Sequence, residues 1–203
     1  MSEALRDSLR WKFTAGFALA ALLLTAACGG SLYKVKPVVE APVAEGETGA
    51  WTGLVSGRAV PMLSDEESFE LFESNLLLAG LLPVRMEMKS NIGYGITGVE
   101  LKKVRFHLLD AEGHEWKMLT AKQAAARILK ANDVYLYNPN SRAKFEEDFR
   151  AHAFDLVTQL KSQEQRRGLI FFQSPQKLPV ASPRGLVLSI ENLLQEPLQL
   201  RLN

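Results

Sequence analysis

The chain holds one cysteine, Cys28, in 203 residues. Without a second thiol there is no intramolecular disulfide and no multi-cysteine metal site. Histidine is nearly as scarce, with His107, His114 and His152 alone. None has a histidine four positions away, the spacing that turns two imidazoles toward one zinc ion on a helix. Net charge is only +1. Residues 1–27 carry Arg6, Arg10 and Lys12 against Glu3 and Asp7, so the rest of the chain is formally neutral. A neutral surface sets up no field to gather nucleic acid, and Arg166-Arg167 is too small a basic patch to do so. Neither a G-x-S-x-G elbow nor a P-loop is present. What remains is an ordinary globular balance, 47% hydrophobic and 23% charged residues, which excludes wholesale disorder.

The first segment is organised differently from the rest. A polar stretch containing Arg6, Arg10 and Lys12 precedes an apolar run, Phe13 to Ala27. Basic head, apolar middle and small residues at the end make the layout of an export signal. About 15 residues at 1.5 Å each reach ~23 Å, short of a ~30 Å hydrocarbon core. Leu24-Thr25-Ala26-Ala27-Cys28 resembles the lipobox of bacterial lipoproteins, with Thr25 where that family more often has Leu. The resemblance implies a diacylglyceryl group (palmitate-class acyl chains) on the Cys28 sulfur and cleavage just before it. A signal peptide over 1–27 and a lipidated, membrane-anchored Cys28 are therefore expected. Two alternatives stand beside this: an uncleaved membrane anchor, and an ordinary cleaved signal that releases a soluble product. In an oxidising compartment a free thiol is a liability, whereas a lipid-blocked one is not. Gly29 after the Cys resembles the sorting pattern of outer-membrane lipoproteins, if the envelope has two membranes.

Residues 28–50 read as the lipidated Cys and a tether, because Pro37, Pro42, Gly46 and Gly49 break any regular period. Residues 29–50 span at most ~70 Å when extended. The alternative is an edge strand over 33–39 or 38–43 that joins the domain.

Residues 51–203 read as one domain. Residues 54–63 suit a first strand. Ser64 and Glu67 suit a capping box ahead of a helix with Phe69, Phe72 and Leu76 at helical spacing, ended by Pro83. Val84, Met86 and Met88 alternate with Arg85, Glu87 and Lys89, the period of a strand with one wet face. Val104, Phe106 and Leu108 repeat the pattern. Asp110-Ala-Glu-Gly113 marks a turn, and Trp116 and Met118 belong to the return strand. Residues 120–131 put Ala121, Ala124, Ala125, Ile128 and Leu129 on one helical face. Asn138 caps a second helix carrying Phe145, Phe149, His152 and Leu156 and ending near Leu160. Gly168-Leu-Ile-Phe-Phe172 is a continuous apolar run, as in a central strand. Leu186, Leu188 and Ile190, then Leu198, Leu200 and Leu202, form the last two strands.

This pattern predicts a mainly β, immunoglobulin-like antiparallel sandwich with a two-helix insertion at about 120–160. Pro83-Val84 to Asn91, Phe106 to Trp116 and Gly168 to Phe172 resemble immunoglobulin-like domains of unknown function on bacterial envelope lipoproteins.

Gly93-Tyr94-Gly95-Ile96-Thr97-Gly98 matches the dinucleotide fingerprint G-x-G-x-x-G. That chemistry needs a buried parallel strand before it and a helix N-terminus after it. The preceding strand is charged on one face, so a glycine-rich hairpin loop is expected instead. Asp110, Glu112 and Glu115 lack the spaced ligands of a calcium loop. Glu146-Glu147-Asp148 suit the early part of a helix. No catalytic, metal or cofactor residue is assigned, and no nucleic-acid partner. The expected function is a non-enzymatic, lipid-anchored envelope protein that binds or supports an envelope protein partner, with the helical insert as the specialised surface. A small-molecule or lipid-binding module and an uncharacterised hydrolase are the alternatives.

Overall fold

The computed structural model describes residues 33–38, 49–51, 53–93, 98–134, 138–181, 183–193 and 196–202. The signal peptide expected over 1–27 and the lipidation expected at Cys28 lie outside the described residues. The strands are β1 (Gly49–Trp51), β2 (Val55–Pro61), β3 (Leu81–Ser90), β4 (Arg105–Leu109), β5 (Glu115–Leu119), β6 (Gln165–Gln173), β7 (Val187–Glu191) and β8 (Leu198–Arg201). Three α-helices accompany them: α1 (Asp65–Phe72), α2 (Ala121–Ala131) and α3 (Pro139–Ala151).

The strands pair antiparallel in the order β1-β2-β3-β6-β5-β4-β7-β8. The mainly β, antiparallel expectation holds, and so does a helical pair between β5 and β6. A sandwich of two separate sheets was expected, whereas the strand order is continuous. The join is β5. Glu115 and Trp116 pair with β4, while Lys117 to Leu119 pair with β6. The sheet bends there, and its two halves face each other across one core. The ends come together as well: a Cβ on Gly57 of β2 would lie 3.5 Å from the Leu198 side chain of β8. The arrangement is nearly a barrel, which brings two otherwise exposed edges close together.

Period-2 alternation decides which residues fill the interior. Met86, Met88, Phe106, Leu108, Ile170, Phe172, Leu188, Ile190 and Leu200 point inward and are buried. A second core lies outside the sheet, where the helices cover β3, β5 and β6. There Leu169 and Phe171 of β6 meet Phe72, Phe145, Phe149 and Ile128. This explains the unbroken run Leu169 to Phe172, since both faces of β6 are covered along it.

The helix ends follow local chemistry. Thr120 and Gln123 form a reciprocal capping box: the Gln123 N–H donates to Thr120 Oγ1 at 3.3 Å, and the Thr120 N–H to Gln123 Oε1 at 2.9 Å. Ser64 caps α1 through the Glu67 N–H at 3.3 Å. Its expected reciprocal partner is spent elsewhere, because the Glu67 carboxylate pairs with Arg85 on β3. Pro83 does not end a helix; it sits inside β3. Its carbonyl accepts from Met62 N–H at 2.9 Å beyond the last β2 residue, so the donor it lacks falls where that pairing finishes. Helix α3 ends at Ala151, well before Leu160. The chain then crosses β6: the Leu169 N–H donates to the His152 carbonyl at 2.7 Å, and the Phe154 N–H to the Leu169 carbonyl at 2.9 Å. This short parallel bridge, Ala153 to Leu169, covers the stretch of β6 that β5 leaves unpaired.

Candidate functional site

Helices α1 and α3 lie side by side, with the Phe72 ring 4.8 Å from Phe149 and 5.2 Å from His152. Residues 33–38 run along the groove between them. The Tyr33 ring lies 5.4 Å from Phe145, and Val35 packs on the outer core. The Lys34 N–H donates to Glu73 Oε2 at 3.2 Å and the Lys36 N–H to the Leu71 carbonyl at 2.9 Å. The Lys36 carbonyl accepts from His152 Nε2 at 2.7 Å. A carbonyl only accepts, so Nε2 bears the proton in this bond. Residues 33–38, expected within a flexible tether, are thus a strap on the fold. They dock on helices, not on the sheet edge that the alternative reading offered.

A cleft of about 560 Å³ opens at the C-terminal end of this strap, lined by Val38, Arg85, His152, Arg166, Arg167 and Leu169 among others. Three arginines would suit an anion, but each is already engaged. Arg85 pairs with Glu67, and Arg167 Nε donates to Glu87 Oε2 at 2.6 Å. Arg166 is 12% exposed and donates to the carbonyls of Asp155, Thr158 and Gln159 at 2.9–3.0 Å and to Glu164 Oε1 at 2.6 Å. The Thr158 hydroxyl holds the Asp155 carboxyl below its ordinary pKa against the opposing effect of burial, aided by backbone N–H groups and the Arg166 charge. The Lys161 N–H and then Arg166 do the same for Glu164. These groups brace the loop between α3 and β6, so the cleft offers shape with little uncommitted charge.

A second concavity of about 430 Å³ lies beside the β4–β5 turn, lined on its other side by residues 174–176, 178–181, 183 and 184. Asp110, Glu112 and His114 offer ligand atoms within 4.8 Å of one another. His114 Nδ1 is 3.4 Å from Asp110 Oδ2 and 4.0 Å from Glu112 Oε2. Asp110 is already occupied: Oδ1 accepts from the N–H groups of Glu112 and His114 at 3.1 and 2.9 Å, and Oδ2 from Trp116 Nε1 at 3.2 Å. Burial pushes its carboxyl up, yet these donors outweigh it and hold the pKa below the ordinary value. The group therefore serves as a turn lock. Glu115, grouped with this turn in the sequence, instead faces His107 Nδ1 at 2.7 Å on the outer side of the sheet.

The described partners of the three imidazoles are carboxylates and a backbone carbonyl, not the hydroxyl that a serine hydrolase brings to its base. Tyr94 to Thr97 of the glycine fingerprint lie outside the described residues. Gly98 has φ +140°, and a Cβ there would collide with the Leu160 carbonyl. The segment after it is a 3-10 turn and strand β4, so no helix N-terminus awaits a pyrophosphate. The alternation of Tyr33 and Val35 with Lys34 and Lys36 is the sequence signal of the docked strap. Among the described residues no helix is long and apolar enough to cross a membrane.

The comparisons with known proteins return nothing: no family model, no curated protein and no solved structure matches this chain.

Proposed function

We propose that this chain is an exported lipoprotein of a bacterial-type cell envelope, held at a membrane by lipid on Cys28, whose folded part binds or supports another envelope protein without catalysing a reaction. The observation that carries the reading is the strap. The lipobox-like Leu24 to Cys28 ends five positions before Tyr33, and the chain is built into the domain from there. Anchor and fold form one mechanical unit, as a membrane-held scaffold requires. The engaged charges around the cleft lined by Arg85, Arg166 and Arg167 also favour a structural role over a catalytic one. An outer-membrane address, suggested by Gly29, and kinship with immunoglobulin-like domains of envelope lipoproteins belong to the same proposal. The antiparallel pairing and the bend at β5, which gives two facing layers, support that kinship.

The helical insert was expected to be the specialised binding surface. Its residues Ile128, Phe145 and Phe149 fill the outer core, so its deletion would open the fold. Surface substitutions on α2 and α3 are the suitable probe of partner binding. The experiment for the whole proposal is fatty-acid labelling of wild type and Cys28→Ser in growing bacteria, with crosslinking in intact cells. Label on wild type alone, with a discrete crosslinked partner, is the expected result. Equal labelling of both proteins overturns the anchor, and turnover of an envelope substrate by the purified protein overturns the non-enzymatic role.

A further inference from the structure

We propose that docking of residues 33–38 converts the membrane link into a short leash, which holds the α1, strap and α3 side of the domain against the bilayer and keeps the opposite sheet face away from it. This rests on the lipid anchor proposed above and adds an orientation to it.

The argument is one of lengths. Gly29, Gly30, Ser31 and Leu32 stand between Cys28 and Tyr33. Five residue steps reach at most ~17 Å. Were residues 33–38 free, the chain from Cys28 to Gly49 would reach ~70 Å. A domain of about 150 residues has a radius of gyration near 15 Å and so a diameter of roughly 40 Å. The longer reach exceeds that diameter, so any face could meet the membrane. The shorter reach is less than half of it, so a face across the molecule from Tyr33 cannot.

The layering shows which face that is. Tyr33 lies on Phe145 of α3. Beneath α3 comes the half-sheet of β3 and β6, where Phe149 stacks on Phe171 at 4.8 Å. The inner core follows, and then β4, β7 and β8. Helix to sheet and sheet to sheet each add ~10 Å. On the outward side of the far layer Arg105, His107, Gln199 and Arg201 are polar and exposed or half-exposed, with Leu109 and Val187 as the apolar members of that face. Six docked residues therefore decide whether this mostly polar face is presented away from the membrane or is free to roll onto it. Pinning falls to Tyr33 on Phe145, Val35 against the outer core, and the Lys36 backbone between Leu71 and His152.

The test uses the lipoprotein purified from bacterial membranes and added to preformed phosphatidylcholine vesicles bearing an energy-transfer acceptor on the headgroup. A donor dye is placed at Ala143→Cys on α3 or at Gln199→Cys on β8, both exposed positions; the Cys28 sulfur, blocked by lipid, takes none. Transfer from position 143 is expected to exceed that from position 199 several-fold. A second pair of proteins carries about 15 Gly/Ser residues between Gly30 and Ser31, which lengthens the leash as a flexible coil and leaves the strap intact. In that pair the two efficiencies should converge. Equal transfer from both sites with the natural leash overturns the proposal, as does a difference that survives lengthening. Protein that does not float with vesicles and takes dye on Cys28 overturns the anchor itself, and the leash with it.

Discussion

The imidazole Nε2 of His152 lies 2.7 Å from the carbonyl oxygen of Lys36, 116 positions away in the chain. The bond joins the end of α3 to the strap, and the same ring packs edge-on against Phe72 at 5.2 Å. One side chain thus couples the N-terminal segment to the outer core.

His152→Phe keeps the ring in that core and removes the N–H. The part-buried bond to the Lys36 carbonyl is lost, at a cost of about 1 kcal/mol. Amide hydrogen exchange reads the consequence directly. The Lys36 N–H, bonded to the Leu71 carbonyl, should exchange faster in the variant while β6 amides keep their protection. Unchanged exchange at Lys36 would show that His152 is not the pin.

Gly168 marks the crossing of the chain after α3 over β6. A Cβ there would lie 2.5 Å from both N and Cα of Phe154. These are backbone atoms held by hydrogen bonds, so they cannot swing aside. Gly168→Ala should cost about 3 kcal/mol through overpacking, measured as a lowered urea midpoint with little change in slope.

Arg166 ties three carbonyls and two carboxylates of the loop before β6. Lysine matches the charge but not the planar fork, so Arg166→Lys should destabilise by about 2 kcal/mol. Acid titration probes the same cluster. Asp155 and Glu164 have lowered pKa values in the fold. Below the ordinary carboxylate range, near pH 4, the unfolded chain binds more protons than the native one. The stabilisation is therefore complete above that range and is lost as pH falls through the lowered native values. The double variant Asp155→Asn, Glu164→Gln should flatten the acid limb of stability against pH. A limb of unchanged steepness would assign the effect to other carboxylates.

Ser68 on α1 is fully buried, and among the described residues its Oγ has no hydrogen-bond partner. An unmatched hydroxyl costs about 1–3 kcal/mol of desolvation. Ser68→Ala removes that cost and raises helix propensity, so thermal midpoints should rise. A clear fall would mean that the hydroxyl has a partner in solution.

Much of the fold was legible because its signals are local. The apolar stripe of residues 121–131, the Asn138 cap, the alternation of β3 and the Asp110 turn each depend on neighbours within a few positions. Glu67 shows where locality failed: its position suggested a helix cap, yet Arg85 on another strand claimed its carboxylate. The end of α3 failed likewise. Phe145, Phe149, His152 and Leu156 continue a helical period, but pairing with β6 takes the chain over at His152. Of the candidate site, the sequence marked Cys28, which lies outside the described residues, and gave no hint of what His152 holds.

By itself, the sequence determined the secondary-structure types, the mainly antiparallel β character and the address-like pattern that ends at Cys28. Each follows from spacing and composition, which are properties of near neighbours. Only the tertiary structure decided that β5 carries one sheet around a bend and that residues 33–38 are strap instead of tether. Both depend on groups far apart in the chain competing for the same backbone N–H and C=O, and that competition is settled only when the layers pack.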